Sequence, residues 1–216
     1  MNTKEINLAS RLLYLPIDLT EKVLLWLTHK GLKPVSEIYA LKRNRAHIKR
    51  MMRDLEYRKS YKSPYDFDSR NSRRIRSWIS DAGLFIAIEP GHESSWHVGK
   101  DPGQVKRSTE LLHKFDFESE VKGGLLFGFP ESSVRAYAKN RDKSETEIAQ
   151  EMVGAGALVY QDPYLKDKYF TPYILYNIPK VSVRQDSQIA KKWADTIRQD
   201  VPKLASWFEK NQRALN

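Results

Sequence analysis

"LFIAIEPGHESSWHVGKDP", residues 84 to 102, decides between a plain helical bundle and a mixed fold. Leu84 to Glu89 is short and β-branched and ends at Pro90, which predicts a strand. Ser94 to Gly99 offers a partner strand, so the intervening PGHE predicts a hairpin. Asp101-Pro102 then joins an N-cap to a proline at the first helical position, opening a helix to about His113. A hairpin set among helices makes the expected class α+β.

Working outward, the flanks read as helices. "DLTEKVLLWLTHKG" (18–31) has Asp18 or Thr20 as N-cap and Gly31 as its stop, around Val23, Leu24 and Leu27. Ser36 suits a cap for the next helix, in which Ile38, Leu41, Arg45, Ile48, Met52 and Leu55 recur at spacings of three and four. Pro64 breaks that pattern, and a further helix is expected from about Asp68 to Ala82, ending at Gly83. Downstream, Glu118 to Phe127 and Pro130 to Asn140 predict two short helices bent apart at Gly128. "YFTPYILYNIP" (169–179) predicts an extended segment near 173–178. Ile189, Trp193 and Ile197 line one closing helix, Leu204 and Phe208 another, with Pro202 between them. The expectation is a mainly helical α+β protein with a two- or three-stranded β element near 84–98. A basic helical region (1–83) and an α+β region (84–216) are expected to pack as one domain.

Charge is concentrated. The chain carries +10, and residues 42 to 76 hold thirteen Lys or Arg against four acids, leaving about +1 for the other 181 residues. Tyr57, Tyr61, Tyr65 and Phe67 interleave with those cations. Clustered cations with aromatic rings suit a phosphate-backbone surface with some base-stacking capacity. The candidate contacts are Arg43, Lys49, Arg50, Arg53, Arg58, Lys59, Arg70, Arg73, Arg74 and Arg76. A solvated helix, or one facing an acidic protein, has the same composition. There is no cysteine, which excludes disulfides, thiol nucleophiles and thiolate metal sites, and neither a metal nor a cofactor is expected. No apolar run approaches the ~18–20 residues that cross a bilayer, and the N-terminus lacks a signal-peptide layout, so no membrane contact and a cytoplasmic location are expected.

Two further stretches carry candidate chemistry. "GHESSWHVGKD" (91–101) gathers two histidines, a carboxylate, Lys100 and Asp101 on a loop-strand segment, a composition suited to acid-base work or to a polar turn. In "GFPESSV" (128–134), Gly128 frees the backbone, Pro130 fits a first turn and Glu131 suits the positive end of the helix dipole. An enzyme reading joins these stretches, with His97 as general acid or base, Lys100 stabilising an anion, and Glu131 orienting or accepting a proton.

"HVGKDP" (97–102), "GFPESSV" (128–134) and "YNIPKVSVRQDS" (176–187) together resemble an uncharacterised, largely archaeal family. Its pattern is an H-x-x-K-D-type segment, a G-[YF]-P-x-C-C-V core and a later I-P stretch containing cysteines. The resemblance spans about residues 90 to 195 and implies an outline without an activity. Ser132 and Ser133 stand where that family has paired cysteines, and the later segment offers Ser182 and Ser187 as counterparts, or none. Either a lineage lost those cysteines or they were changed to serine. In both cases the serine pair is expected to be a vestige rather than a nucleophile.

The leading functional expectation is a cytoplasmic protein that binds nucleic acid through its basic surface. The alternatives are an enzyme using His97, Lys100 and Glu131, and a structural subunit docking an acidic protein.

Overall fold

The chain enters its first helix through a reciprocal cap. Asn2 Oδ1 accepts from the Glu5 N–H at 2.9 Å, and Glu5 Oε2 accepts from the Asn2 N–H at 3.2 Å, opening α1 (Thr3–Leu13). Both bonds satisfy backbone donors at the helix start. The computed structural model describes residues 1–39, 41–43, 65–67, 69–89, 92–111, 114, 116–140, 143, 147, 152–153, 173 and 178–214. At the start of α2 (Leu19–His29), Glu21 Oε2 accepts from the Asp18 N–H at 2.7 Å. Its other oxygen accepts from the Tyr39 N–H at 2.6 Å, tying that helix start to the segment that follows. The stop at Gly31 is as expected, with φ of 74°.

The next segment corrects the sequence reading. Val35–Tyr39 is a strand (β1), not the start of a helix, and Leu41–Arg43 is a second (β2) paired with Tyr65–Phe67 (β3). Ser36 caps nothing: its hydroxyl is buried against α2, donating to the Leu24 carbonyl at 3.2 Å and lying 2.6 Å from Thr28 Oγ. Ile38 is buried, as its place on the apolar stripe required, but by a sheet. Ile48, Met52 and Leu55 lie outside the described residues, as do Lys49, Arg50, Arg53, Arg58 and Lys59.

Ser69–Asp81 forms α3, and Gly83 turns the chain at φ 71° into the predicted hairpin, Phe85–Glu89 (β4) and His92–Gly99 (β5). β1 completes an antiparallel three-stranded sheet in the order β1-β5-β4, with Glu37, His97 and Ala87 in one register row. The register of β4 against β5 shifts between Ile88 and Glu89, a bulge that re-aims the strand end. Asp101 Oδ1 then accepts from the N–H groups of Gly103 and Gln104 at 2.7 and 3.1 Å, capping α4 (Pro102–Leu111). α5 (Phe117–Leu126) and α6 (Glu131–Asn140) follow. Near the expected extended segment, Ile178–Pro179 (β7) pairs with Met152–Val153 (β6), Tyr173 sits in a turn, and 174–177 lie outside the described residues. A 3₁₀ turn (Lys180–Ser182) leads into α7 (Val183–Asp200), and α8 (Pro202–Ala214) closes the described chain.

The protein is thus α+β and mainly helical. One sheet face, carrying Ile38, Trp96 and Val98, joins the apolar core, where Leu12, Trp26, Trp78, Trp193 and Phe208 from five helices are fully buried. Polar bonds fix the indoles: Trp26 Nε1 donates to Asp200 Oδ2 at 3.1 Å, and Trp78 Nε1 donates to the Leu8 carbonyl at 2.9 Å. From the opposite sheet face His97 reaches α4. Among the described residues no helix is long and apolar enough to cross a membrane.

Gly128 bends α5 away from α6 as expected, with φ of 73°. A Cβ there would lie 2.9 Å from Pro34 Cδ and 3.3 Å from Lys33 Cα. Gly128→Ala therefore combines left-handed strain with a clash and should cost about 1–3 kcal/mol. Urea denaturation should show a lower midpoint at unchanged m-value.

Candidate functional site

The cationic surface begins on α3. Ile75, Trp78 and Ile79 are buried, leaving Arg73, Arg74, Arg76, Ser77, Ser80 and Asp81 on the outward arc. Asp81 is taken by Arg11 at 2.7 Å. No carboxylate pairs with Arg73, Arg74 or Arg76 among the described residues. Arg76 instead lies 4.4 Å over the Trp96 ring and closes it from water. Arg74 Nη2 donates to the Tyr14 carbonyl at 2.9 Å, joining α3 to the end of α1. Arg70 falls in the first turn of the same helix, and Arg43 falls in β2.

This surface continues onto α8, which the sequence reading missed. Lys203 Nζ lies 6.0 Å from the Tyr14 ring centroid and 5.0 Å from that of Trp207. Tyr14 is 61% exposed and Trp207 36%. Arg74, Lys203 and two solvent-facing rings thus meet from elements far apart in sequence. Nothing local marks such a patch: Tyr14 and Trp207 are 193 residues apart.

His97, the predicted acid-base residue, is fully buried in the middle of β5. Its ring meets Phe127 edge-on, with centroids 5.5 Å apart. Nδ1 lies 2.7 Å from Ser108 Oγ, and that hydroxyl donates its single proton to the Val105 carbonyl at 2.7 Å. The hydroxyl therefore accepts from the ring, so Nδ1 carries the proton and Nε2 the lone pair. Burial pulls the pKa of His97 below the usual histidine range, against the opposing charges of Glu37 and Glu89. Nε2 is buried without a partner among the described residues. One ligand atom each from Glu37, Glu89 and His97 lies within 4.8 Å of the others. Glu37 Oε1 also accepts from Ser95 Oγ at 2.8 Å. Burial, then the neighbouring Glu37 carboxylate, hold the Tyr39 phenol above its ordinary pKa.

The structure gives His97 other neighbours than the enzyme reading supposed. Lys100 is exposed beyond the end of β5, with Nζ 3.8 Å from the position a Cβ on Gly31 would occupy. Glu131 is exposed at the start of α6 and accepts from Arg135 Nε at 2.7 Å. No described hydrogen bond or ion pair joins His97, Lys100 and Glu131 to one another.

The serine pair has a structural partner. Ser132 Oγ donates to Asp186 Oδ1 at 2.9 Å, and Ser133 Oγ and Ser182 Oγ donate to Oδ2 at 2.9 and 2.8 Å. Asp186 lies near the start of α7 and is only 3% exposed. Three hydroxyls from two distant segments therefore converge on one buried carboxylate. Ser187 stays apart, donating to the Arg184 carbonyl at 3.1 Å.

Compared with known proteins, the chain matches no family model, no curated protein and no solved structure.

Proposed function

We propose that the protein associates with nucleic acid, and does so best with single strands, through the surface built by α3, the end of α1 and the start of α8. The observation that carries this is the meeting of Arg74 and Lys203 with the exposed rings of Tyr14 and Trp207, beside an Arg73 and Arg76 that no described carboxylate pairs. Cations that track phosphates, set beside rings on which bases stack, favour single strands without demanding a sequence. Residues 42 to 76 carry +9 of the chain's +10, a charge that draws polyanions to the protein. The proposal places the protein in the cytoplasm and needs no cofactor.

Fluorescence anisotropy with single- and double-stranded oligonucleotides tests it. Arg73→Ala should weaken binding to every sequence and reduce the salt slope by about one charge. Its stability should stay within about half a kcal/mol, since Arg73 is exposed. Trp207→Ala should cost about 1–3 kcal/mol of affinity for single strands, if a base stacks there. Equal affinity of wild type and both variants would remove the surface from the account.

A further inference from the structure

We infer that Glu37, Glu89 and His97 form a binding site for one divalent first-row transition-metal ion, of the kind represented by zinc and manganese. The donors converge from all three strands of the sheet. Glu37 and His97 are directly paired across β1 and β5, so their side chains share a face, and the bulge at Ile88/Glu89 resets the end of β4 beside them. Their ligand atoms lie within 4.8 Å of one another. A cation about 2.1 Å from each donor spaces its ligands by roughly 3–4.3 Å, so small side-chain rotations complete the geometry.

The histidine supplies the independent observation. A fully buried imidazole whose Nε2 has no partner among the described residues forfeits a hydrogen bond that protein interiors rarely leave unmade. With Nδ1 committed to Ser108, Nε2 is the nitrogen left to face the two carboxylates, and it holds the lone pair a metal requires. The bond from Nδ1–H to Ser108, and that from Ser95 to Glu37, are the outer contacts that orient metal ligands. No Lys or Arg among the described residues ion-pairs with Glu37. One imidazole and two carboxylates suit borderline divalent ions better than magnesium or calcium, and three protein ligands leave positions for water or a substrate. Expecting no metal followed from the missing thiols; a nitrogen-oxygen donor set needs none.

The test is direct titration of the chelator-treated full chain with zinc or manganese alone, by calorimetry, with manganese also followed by electron paramagnetic resonance. One equivalent should bind. Glu37→Gln and Glu89→Gln, each checked for an unchanged circular dichroism spectrum, should weaken binding at least about 10-fold. Ser108→Ala should weaken it about 10- to 100-fold, with recovery in Ser108→Thr. Glu118→Gln, an exposed acid on α5, should bind as wild type does. No uptake at millimolar metal, or uptake unchanged in both glutamine variants, would overturn the site.

Discussion

Asp186→Ala should destabilise the fold by about 2–4 kcal/mol, because one substitution removes the shared acceptor of three hydroxyls. Of these, Ser132 is exposed, Ser182 also reaches the Pro179 carbonyl at 3.4 Å, and Ser133 is left buried without it. Ser133 is only 2% exposed, so its hydroxyl cannot turn to water when the carboxylate goes, and Ser182 is half-buried. A buried polar group left without a partner costs about 1–3 kcal/mol, and bonds to a charged acceptor are the stronger ones. The three bonds share one acceptor, so their losses do not simply add. The bonds also join the start of α6 to the turn that opens α7, which makes the loss a loss of docking between segments more than fifty residues apart. At about 2–4 °C per kcal/mol for a chain of this size, the melting temperature should fall by roughly 10 °C. Asp186→Asn keeps the shape but turns one acceptor into a donor, and should lie between the two. A melting temperature for Asp186→Ala within a degree of wild type would show that the serine cluster holds nothing together.

A second large effect is expected at Lys33, through pH. Lys33 is 2% exposed, donates from Nζ to the Phe127 carbonyl, and places its ammonium 4.5 Å from the Phe129 centroid and 4.7 Å from that of Trp193. Burial pulls its pKa down to about 7. In the unfolded chain a lysine titrates at about 10.4, so between these values the unfolded state binds the extra proton. Stability contributed by this group therefore rises with pH from about 7 to about 10, by up to about 1.4 kcal/mol per unit, and is flat below 7. The two rings and the carbonyl favour the charged form and soften the rise. Lys33→Met removes the titration. Urea denaturation at pH 7 and 9 should find wild type gaining about 1–3 kcal/mol relative to Lys33→Met over that interval. Parallel stability curves would show that Lys33 stays charged in its aromatic cage.

What was legible in the sequence was whatever local chemistry specifies. Asp18 and Gly31 bound α2, Asp101-Pro102 opens α4, and Gly83 and Gly128 end helices with φ of 71° and 73°. The hairpin from Phe85 to Gly99 followed from β-branching and its turn residues. β1 was not legible. In VSEIY (35–39) Val35, Ser36 and Ile38 are all buried, so the strand shows no clean alternation, while Ser36 and the spacing of Ile38 to Leu41 imitate a capped helix. The pairing that makes it a strand, Glu37 with His97, spans sixty residues.

The site divides along the same line. His97 and the arginines of α3 stood out by composition, yet the carboxylates beside His97 come from the strand misread as helix and from a bulge no local pattern announces. Asp186, in an unremarked helical turn, gathers the serines that motif resemblance had singled out. Tyr14 and Trp207 become a surface only when α1 and α8 meet.

The central claim, nucleic-acid association through a cationic surface, is tested most directly by the salt dependence of binding. Affinity for a single-stranded oligonucleotide, measured by anisotropy across a series of salt concentrations, should fall linearly in log–log form, with a slope of about −0.7 per phosphate neutralised. Changing Arg50, Arg53, Arg73 and Arg74 together to alanine should flatten that slope by up to about four charges' worth and leave the melting temperature within a few degrees. Absence of binding by wild type at low salt, to single and double strands alike, would contradict the account and leave an acidic protein as the partner of the basic face.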